Sequence, residues 1–152
     1  MKILMVCLGN ICRSPMADGL LRKKVNDLGL AWKVDSAGTA DYHIGKPADQ
    51  RMRKTALSYN VSLEELRARQ FAVSDFDDFD LIYAMDSSNL SNILQLARNE
   101  GDSRKVTLIL NELYPGKNLE VPDPYYGGEQ GFVDVYNMLD EATDRIIEKL
   151  RK

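Results

Sequence analysis

An open α/β sheet, parallel and covered by helices on both faces, is the fold the sequence predicts. Three observations point to it: four short apolar or β-branched runs, a longer helical or loop segment after each of them, and a length of 152 residues, which suits one domain over 1–152. Strands separated by helices pair in parallel through right-handed crossovers, which lay the helices against the sheet. Ligands of such sheets bind beyond the carboxyl ends of the strands.

The candidate strands are residues 3–7, 32–35, 81–85 and 106–110. After the first strand, Ser14 is a candidate N-cap and Pro15 a candidate first helical residue. Ala17, Leu20, Leu21, Val25 and Leu28 follow at helical spacing, and Gly29 is a stop. Residues 48–66 read as a weaker helix. The segment 74–80 carries four aspartates around Phe76 and Phe79 and reads as a solvated turn with two anchors. A second apolar stripe, Leu90, Ile93, Leu94 and Ala97, stands behind the candidate caps Asp86, Ser87 and Ser88, with Gly101 closing it. Near the C-terminus Phe132, Val135, Tyr136, Leu139, Ala142, Ile146 and Leu150 form a third stripe that packs one face.

Composition narrows the function. Apolar residues make up 44% of the chain and charged ones 28%, so a buried core is expected rather than disorder. Lys and Arg number 20 against 23 Asp and Glu, a net charge of −3 with the signs interleaved, which argues against nucleic acid as a partner. The longest uncharged stretch, 87–97, is far below a membrane span of about 18 residues. The opening MKILMVCLGN lacks the small-residue cleavage site of a signal peptide. With two cysteines, Cys7 and Cys12, too few and too close to staple the domain, a reducing cytosolic setting with reactive thiols is expected.

The chemistry concentrates at CLGNICRSP. Cys7 ends a strand, five loop residues follow, and Arg13 and Ser14 precede the helix. Loop amides around a helix N-terminus form a concave anion site that fits a phosphate dianion. Gly9 permits close backbone approach, and Asn10 tolerates left-handed dihedrals. Arg13 holds two equatorial oxygens in one plane, as no lysine can. The same positive field favours a thiolate at Cys7 facing the phosphorus, and the Ser14 hydroxyl is placed to donate to that sulfur.

A second constellation is YPGKNLEVPDPYYGGEQ over 114–130, a long connection holding three of the five prolines. Pro122 and Pro124 stiffen Asp123, and Tyr125 and Tyr126 partly desolvate its carboxyl, favouring a neutral acid that could protonate a leaving oxygen. A plain turn aspartate fits the composition equally well.

These residues together resemble the low molecular weight protein tyrosine phosphatase family. The resemblance rests on VCLGNICRSP, DPYY from Asp123, DSAGT at 35–39, ARQF at 68–71, YAMDSSNL at 83–90 and the GF that opens the last helix. It implies a cytosolic, metal-free and cofactor-free enzyme on a four-stranded parallel sheet of flavodoxin-like topology, strand order 2-1-3-4. It implies Cys7 as nucleophile, Arg13 as phosphate clamp and Asp123 as acid and then base. Leu8, Gly9, Asn10, Ile11, Cys12 and Ser14 would complete the phosphate loop, with Tyr42 on one substrate wall and Tyr125 and Tyr126 on the other. Ile11 resembles the tyrosine-specific branch, where phosphoarginine phosphatases carry threonine. The implied partners are phosphotyrosine-containing proteins and oxyanions in the loop, with the chain a monomer or weak homodimer. Many members carry a histidine ahead of ARQ that steadies the loop asparagine; here that place is Leu66, which leaves the partner of Asn10 open. His43, the sole histidine, reads as rim or solvent. Cys12 either fills space beneath the loop or traps an oxidised Cys7.

Overall fold

The computed structural model describes residues 1–151. Strands β1 (Lys2–Cys7), β2 (Lys33–Gly38), β3 (Leu81–Ala84) and β4 (Val106–Leu108) form one sheet in the order β2-β1-β3-β4, with every pairing parallel. β1 is central, and its side chains alternate between two apolar layers because successive strand residues face opposite ways. Ile3, Met5 and Cys7 enter one layer, while Leu4 and Val6 enter the other. The first layer is covered by α1 (Arg13–Asp27), α2 (Gln50–Ser58) and the long α6 (Glu129–Leu150). The second is covered by α3 (Asp75–Asp78) and α4 (Ser87–Gln95). Both faces of the sheet are thus covered, as the near-continuous apolar runs of the two central strands, β1 and β3, require.

α1 begins two residues earlier than its capping signals suggest. Cys12 is the N-cap, without a side-chain capping bond, and Ser14 and Pro15 lie inside the first turn. The Ser14 side chain is taken up by the loop before it and so cannot cap. At the other end Gly29 stops the helix at φ 66°, as its sequence position indicates. Leu28, counted in the apolar stripe, is the exposed C-cap residue instead. Within α1, Gly19 lets the 61–63 segment approach closely: a Cβ there would stand 2.3 Å from Leu63 Cδ2.

Other expectations shift at their margins. Only Gln50–Ser58 of the weak 48–66 pattern is helical, capped by Asp49, whose carboxylate accepts from Arg51 N. Segment 74–80 contains the one-turn α3. Phe76 is its buried anchor, and Asp75, far from solvated, is buried against Arg69. Asp86 is the cap of α4 through Asn89 N, but the helix ends at Gln95. Gly101 falls inside a further short helix, α5 (Glu100–Arg104), started by Asn99. The α6 stripe faces the core as its period demands, with Tyr136 half-buried and stacked on Tyr59 at 3.8 Å.

In the order β2-β1-β3-β4 the chain leaves the carboxyl end of β1 toward one side and the end of β3 toward the other. That reversal opens a crevice beyond the two strands. Cys7 closes β1, and Asp86 stands just past β3. The 114–130 connection is brought alongside by a hydrogen bond from Val121 N to the Met85 carbonyl, 2.8 Å.

Candidate active site

The loop after β1 wraps the start of α1 around the Cys7 sulfur. Asn10 takes φ 58°, the left-handed conformation that an asparagine tolerates, and its amide donates to Cys7 Sγ at 3.3 Å. Ser14 Oγ lies 3.0 Å from the same sulfur. Asn10 Nδ2 donates to Ser14 Oγ at 2.8 Å, which leaves the hydroxyl proton for the sulfur or for the Ala37 carbonyl at 3.4 Å. The Asn10 N–H and the Ser14 hydroxyl thus both lie within hydrogen-bonding distance of the sulfur, and both can donate to it when it carries charge. The first-turn N–H groups of α1 have no intrahelical acceptor, which suits that end of the helix to an anion.

Asn10 is fixed from its other side by the main chain of the ARQ segment: Arg69 N donates to Asn10 Oδ1 at 3.0 Å. This supplies the partner that Leu66 cannot, since a main-chain donor serves where the imidazole is missing. Leu66 itself packs against the larger apolar layer. Beneath the loop, Thr39 N and Ala40 N donate to the Cys7 and Leu8 carbonyls at 2.9 Å each. Gly38 makes that approach possible, because a Cβ there would stand 2.8 Å from the Leu8 carbonyl oxygen and 3.1 Å from Gly9 C.

Arg13 is buried, with Nη1 donating to Asp86 Oδ2 at 2.6 Å and to the Val121 carbonyl at 3.0 Å. Burial of the guanidinium works to lower its pKa, but the charge at Cys7 and the bond to Asp86 outweigh it and the net shift is upward. The other terminal nitrogen, Nη2, lies 3.7 Å from Asp123 Oδ2. Asp123 Oδ1 in turn accepts from Tyr125 N at 3.0 Å, which ties the carboxyl to its own loop. Asp86 has no place among the site residues read from the sequence beyond a capping role. Its position past the end of β3, at the reversal of strand order, is the signal that could have revealed it.

Cys7, Leu8, Gly9, Ile11, Cys12 and Arg13 form the floor of a cleft of about 280 Å³, and Tyr42, Tyr125, Tyr126 and Asp123 stand around it. Asn10 and Ser14 do not face the cleft; both are buried behind the loop and hold it. His43 does face it, at the rim beside Tyr42 and against Gly9, where a Cβ would come within 3.0 Å of the imidazole. Tyr126 is 91% exposed and Tyr42 67%, so both walls project into solvent. Cys12 is a free, buried thiol whose ionisation is pushed far up by burial and by the charge of Asp49.

A thiol at the bottom of an anion cradle, with a buried guanidinium beside it and a carboxyl at the mouth, defines a cysteine-dependent phosphatase. The comparisons agree. The family described as low molecular weight phosphotyrosine protein phosphatase matches residues 2–152. A relative from Schizosaccharomyces pombe named low molecular weight phosphotyrosine protein phosphatase is 40% identical, over 98% of this chain and 96% of its own. The crystal structure of a protein tyrosine phosphatase from Entamoeba histolytica, with Hepes in the active site, superposes at TM-score 0.92. It is 42% identical and covers 99% of this chain and 97% of its own. A Drosophila arginine phosphatase also superposes at 0.92, with 31% identity and coverage of 100% and 99%. The chain belongs to the low molecular weight phosphotyrosine protein phosphatase family.

Proposed function

We propose that residues 1–152 act as one phosphatase domain that hydrolyses phosphotyrosine in proteins, and aryl phosphates generally, through a phosphate ester on Cys7. The observation that carries this reading is the convergence of Cys7 Sγ, the Arg13 guanidinium and the Asp123 carboxyl on one cleft with aromatic walls. A phosphate dianion enters the loop, and Arg13 binds two of its oxygens. The dianion competes with Asp123 for Arg13 Nη2, which frees the carboxyl to turn toward the leaving-group oxygen.

Cys7 Sγ attacks phosphorus as the P–O bond to the aryl group breaks, and Asp123 gives its proton to the departing oxygen. A water then attacks the cysteinyl-phosphate. Asp123 takes that water's proton, the S–P bond breaks, and the sulfur leaves as a thiolate held by the Ser14 hydroxyl. Positioning and electrostatics supply the rate, and no step calls for a metal or cofactor. Tyr42 and Tyr125 flank the phenyl ring, and Ile11 gives the cleft an apolar floor suited to an aryl group rather than to a guanidinium. Among the described residues no helix is long and apolar enough to cross a membrane. We place the enzyme in the cytosol, as a monomer or weak homodimer.

Hydrolysis of p-nitrophenyl phosphate tests the mechanism. Native protein turns over, Cys7→Ser is inactive, and Asp123→Ala loses about 10²- to 10³-fold. Activity that survives Cys7→Ser sinks the covalent route. A preference for phosphoarginine over phosphotyrosine peptides sinks the substrate assignment.

A further inference from the structure

The acid loop differs from the rest of the site in how little holds it. Among the described residues, the hydrogen bonds of 122–128 close within the loop or onto the first turn of α6: Tyr125 N to Asp123 Oδ1, Gly127 N to the Pro124 carbonyl, and Gly131 N to the Gly128 carbonyl. Such bonds shape the loop; its direct tie to the phosphate loop is the 3.7 Å ion pair of Arg13 Nη2 with Asp123 Oδ2, for which a bound phosphate competes. A further contact that joins it to the phosphate loop from outside the cleft therefore bears on where Asp123 sits.

Arg51, in the first turn of α2, makes that contact. Its guanidinium lies 5.3 Å from the centroid of the Tyr125 ring and 4.8 Å from that of Phe132, touching both the acid loop and the start of α6. The group is held at its back by Asp49, whose two carboxylate oxygens accept from Arg51 Nε and Nη2 at 3.1 Å each. Asp49 is itself anchored to the phosphate loop, since its main-chain N–H donates to the Ile11 carbonyl at 2.7 Å. An unbroken series of contacts thus runs from the phosphate loop through Asp49 and Arg51 to Tyr125, two residues from Asp123. A delocalised plane can serve a carboxylate along its edge and aromatic rings on its face at once, which a lysine ammonium cannot.

We propose that Arg51 is a positioning residue for the proton-transfer step, registering the acid loop against the phosphate loop so that Asp123 meets the leaving oxygen. This rests on Asp123 being the general acid. Misplacing a general acid penalises substrates in proportion to how badly their leaving group needs a proton, whereas loosening the fold penalises all substrates alike.

The test compares kcat/KM for phenyl phosphate, whose phenolate is a poor leaving group, with that for 2,4-dinitrophenyl phosphate, which departs unprotonated. Arg51→Ala should lower the first about tenfold and the second by less than about twofold, with Arg51→Lys showing the same selectivity at reduced size. In an Asp123→Asn background, Arg51→Ala should add no further selective loss. Equal losses on both substrates, no loss on either, or a full tenfold selective loss in the Asp123→Asn background each overturn the proposal. If Asp123→Asn alone shows no selectivity, the acid assignment fails and the clamp fails with it. If Asp123→Asn is selective and Arg51→Ala is not, only the clamp is wrong. Arg51 is close to half exposed and the Asp49 cap does not depend on its side chain, so both variants are expected to fold, as circular dichroism would verify.

Discussion

The two halves of the cleft are built on different principles. The phosphate loop is buried and closed by short-range bonds: Asn10 left-handed onto the sulfur, Asn10 onto Ser14, Arg69 N onto Asn10, and the 38–40 main chain beneath. The acid loop is exposed, with Tyr126 almost wholly in solvent and Asp123 tied mainly to its own neighbours. Binding charge in a fixed geometry benefits from donors that need no rearrangement. In the proposed mechanism, delivering a proton to groups of varied shape and then activating water at the same place falls to a carboxyl at the open mouth of the cleft. The first half should respond to substitution as an all-or-none device, and the second by degrees.

The largest expected effect tests the first half. Arg13→Lys keeps the charge but loses the planar fork, and it leaves Asp86 and the Val121 carbonyl short of a donor. A loss of about 10³-fold in kcat/KM for aryl phosphates is expected, with the protein still folded by circular dichroism. A loss below about tenfold would show that a point charge suffices, and the contrast between the halves would collapse.

A smaller effect tests whether the main-chain floor matters. Gly38 is not at positive φ, so Gly38→Ala brings no dihedral strain; it brings a methyl group to 2.8 Å from the Leu8 carbonyl oxygen. The loop must lift by several tenths of an ångström. Kinetics should show about a tenfold fall in kcat for good and poor leaving groups alike. Leaving-group selectivity in this variant would mean that disturbance passes freely from one half to the other.

The same contrast explains what could be read in the sequence. The phosphate loop is contiguous, so thiol, glycine, arginine and helix start all lie within a ten-residue window, and the central strands β1 and β3 declare themselves by apolar runs, whereas β2 continues past its run at 32–35 to Gly38 and β4 ends at Leu108, short of 110. Asn10's left-handed turn was legible because few residue types tolerate it. Contacts that join distant segments were not: Asp86 reads as a cap, and Arg51 as one more surface cation. The partner of Asn10 is a main-chain N–H, which no residue type announces. Ser14 misled for the opposite reason, since a serine before proline is a good capping signal until a nearer donor, here Asn10 Nδ2, claims its oxygen.

One turn along α1 from Ser14, the rigid half contains a costly feature. Asp18 is fully buried. Its Oδ1 accepts from Arg22 Nε and Nη2 at 3.1 and 2.9 Å, while Oδ2 has no hydrogen-bond partner among the described residues. Burial raises its pKa from 3.8 to about 6, with Arg22 offsetting part of the rise. Between about pH 4 and 6 the folded protein therefore keeps a proton that the unfolded chain gives up, so this group's contribution to stability is complete below pH 4 and lost as pH rises through 6. The shift corresponds to about 3 kcal/mol, an upper figure because the neighbourhood relaxes. Asp18→Asn, which cannot ionise, should be more stable than the native protein at pH 7.5 by about 1–3 kcal/mol and close to it at pH 4 in urea unfolding, with kcat little changed. A stability difference that is the same at both pH values would show that the carboxylate is not penalised by burial. A large fall in kcat would instead place Asp18 within the support of the phosphate loop, extending the rigid half one helical turn deeper than the bonds around Asn10 and Ser14.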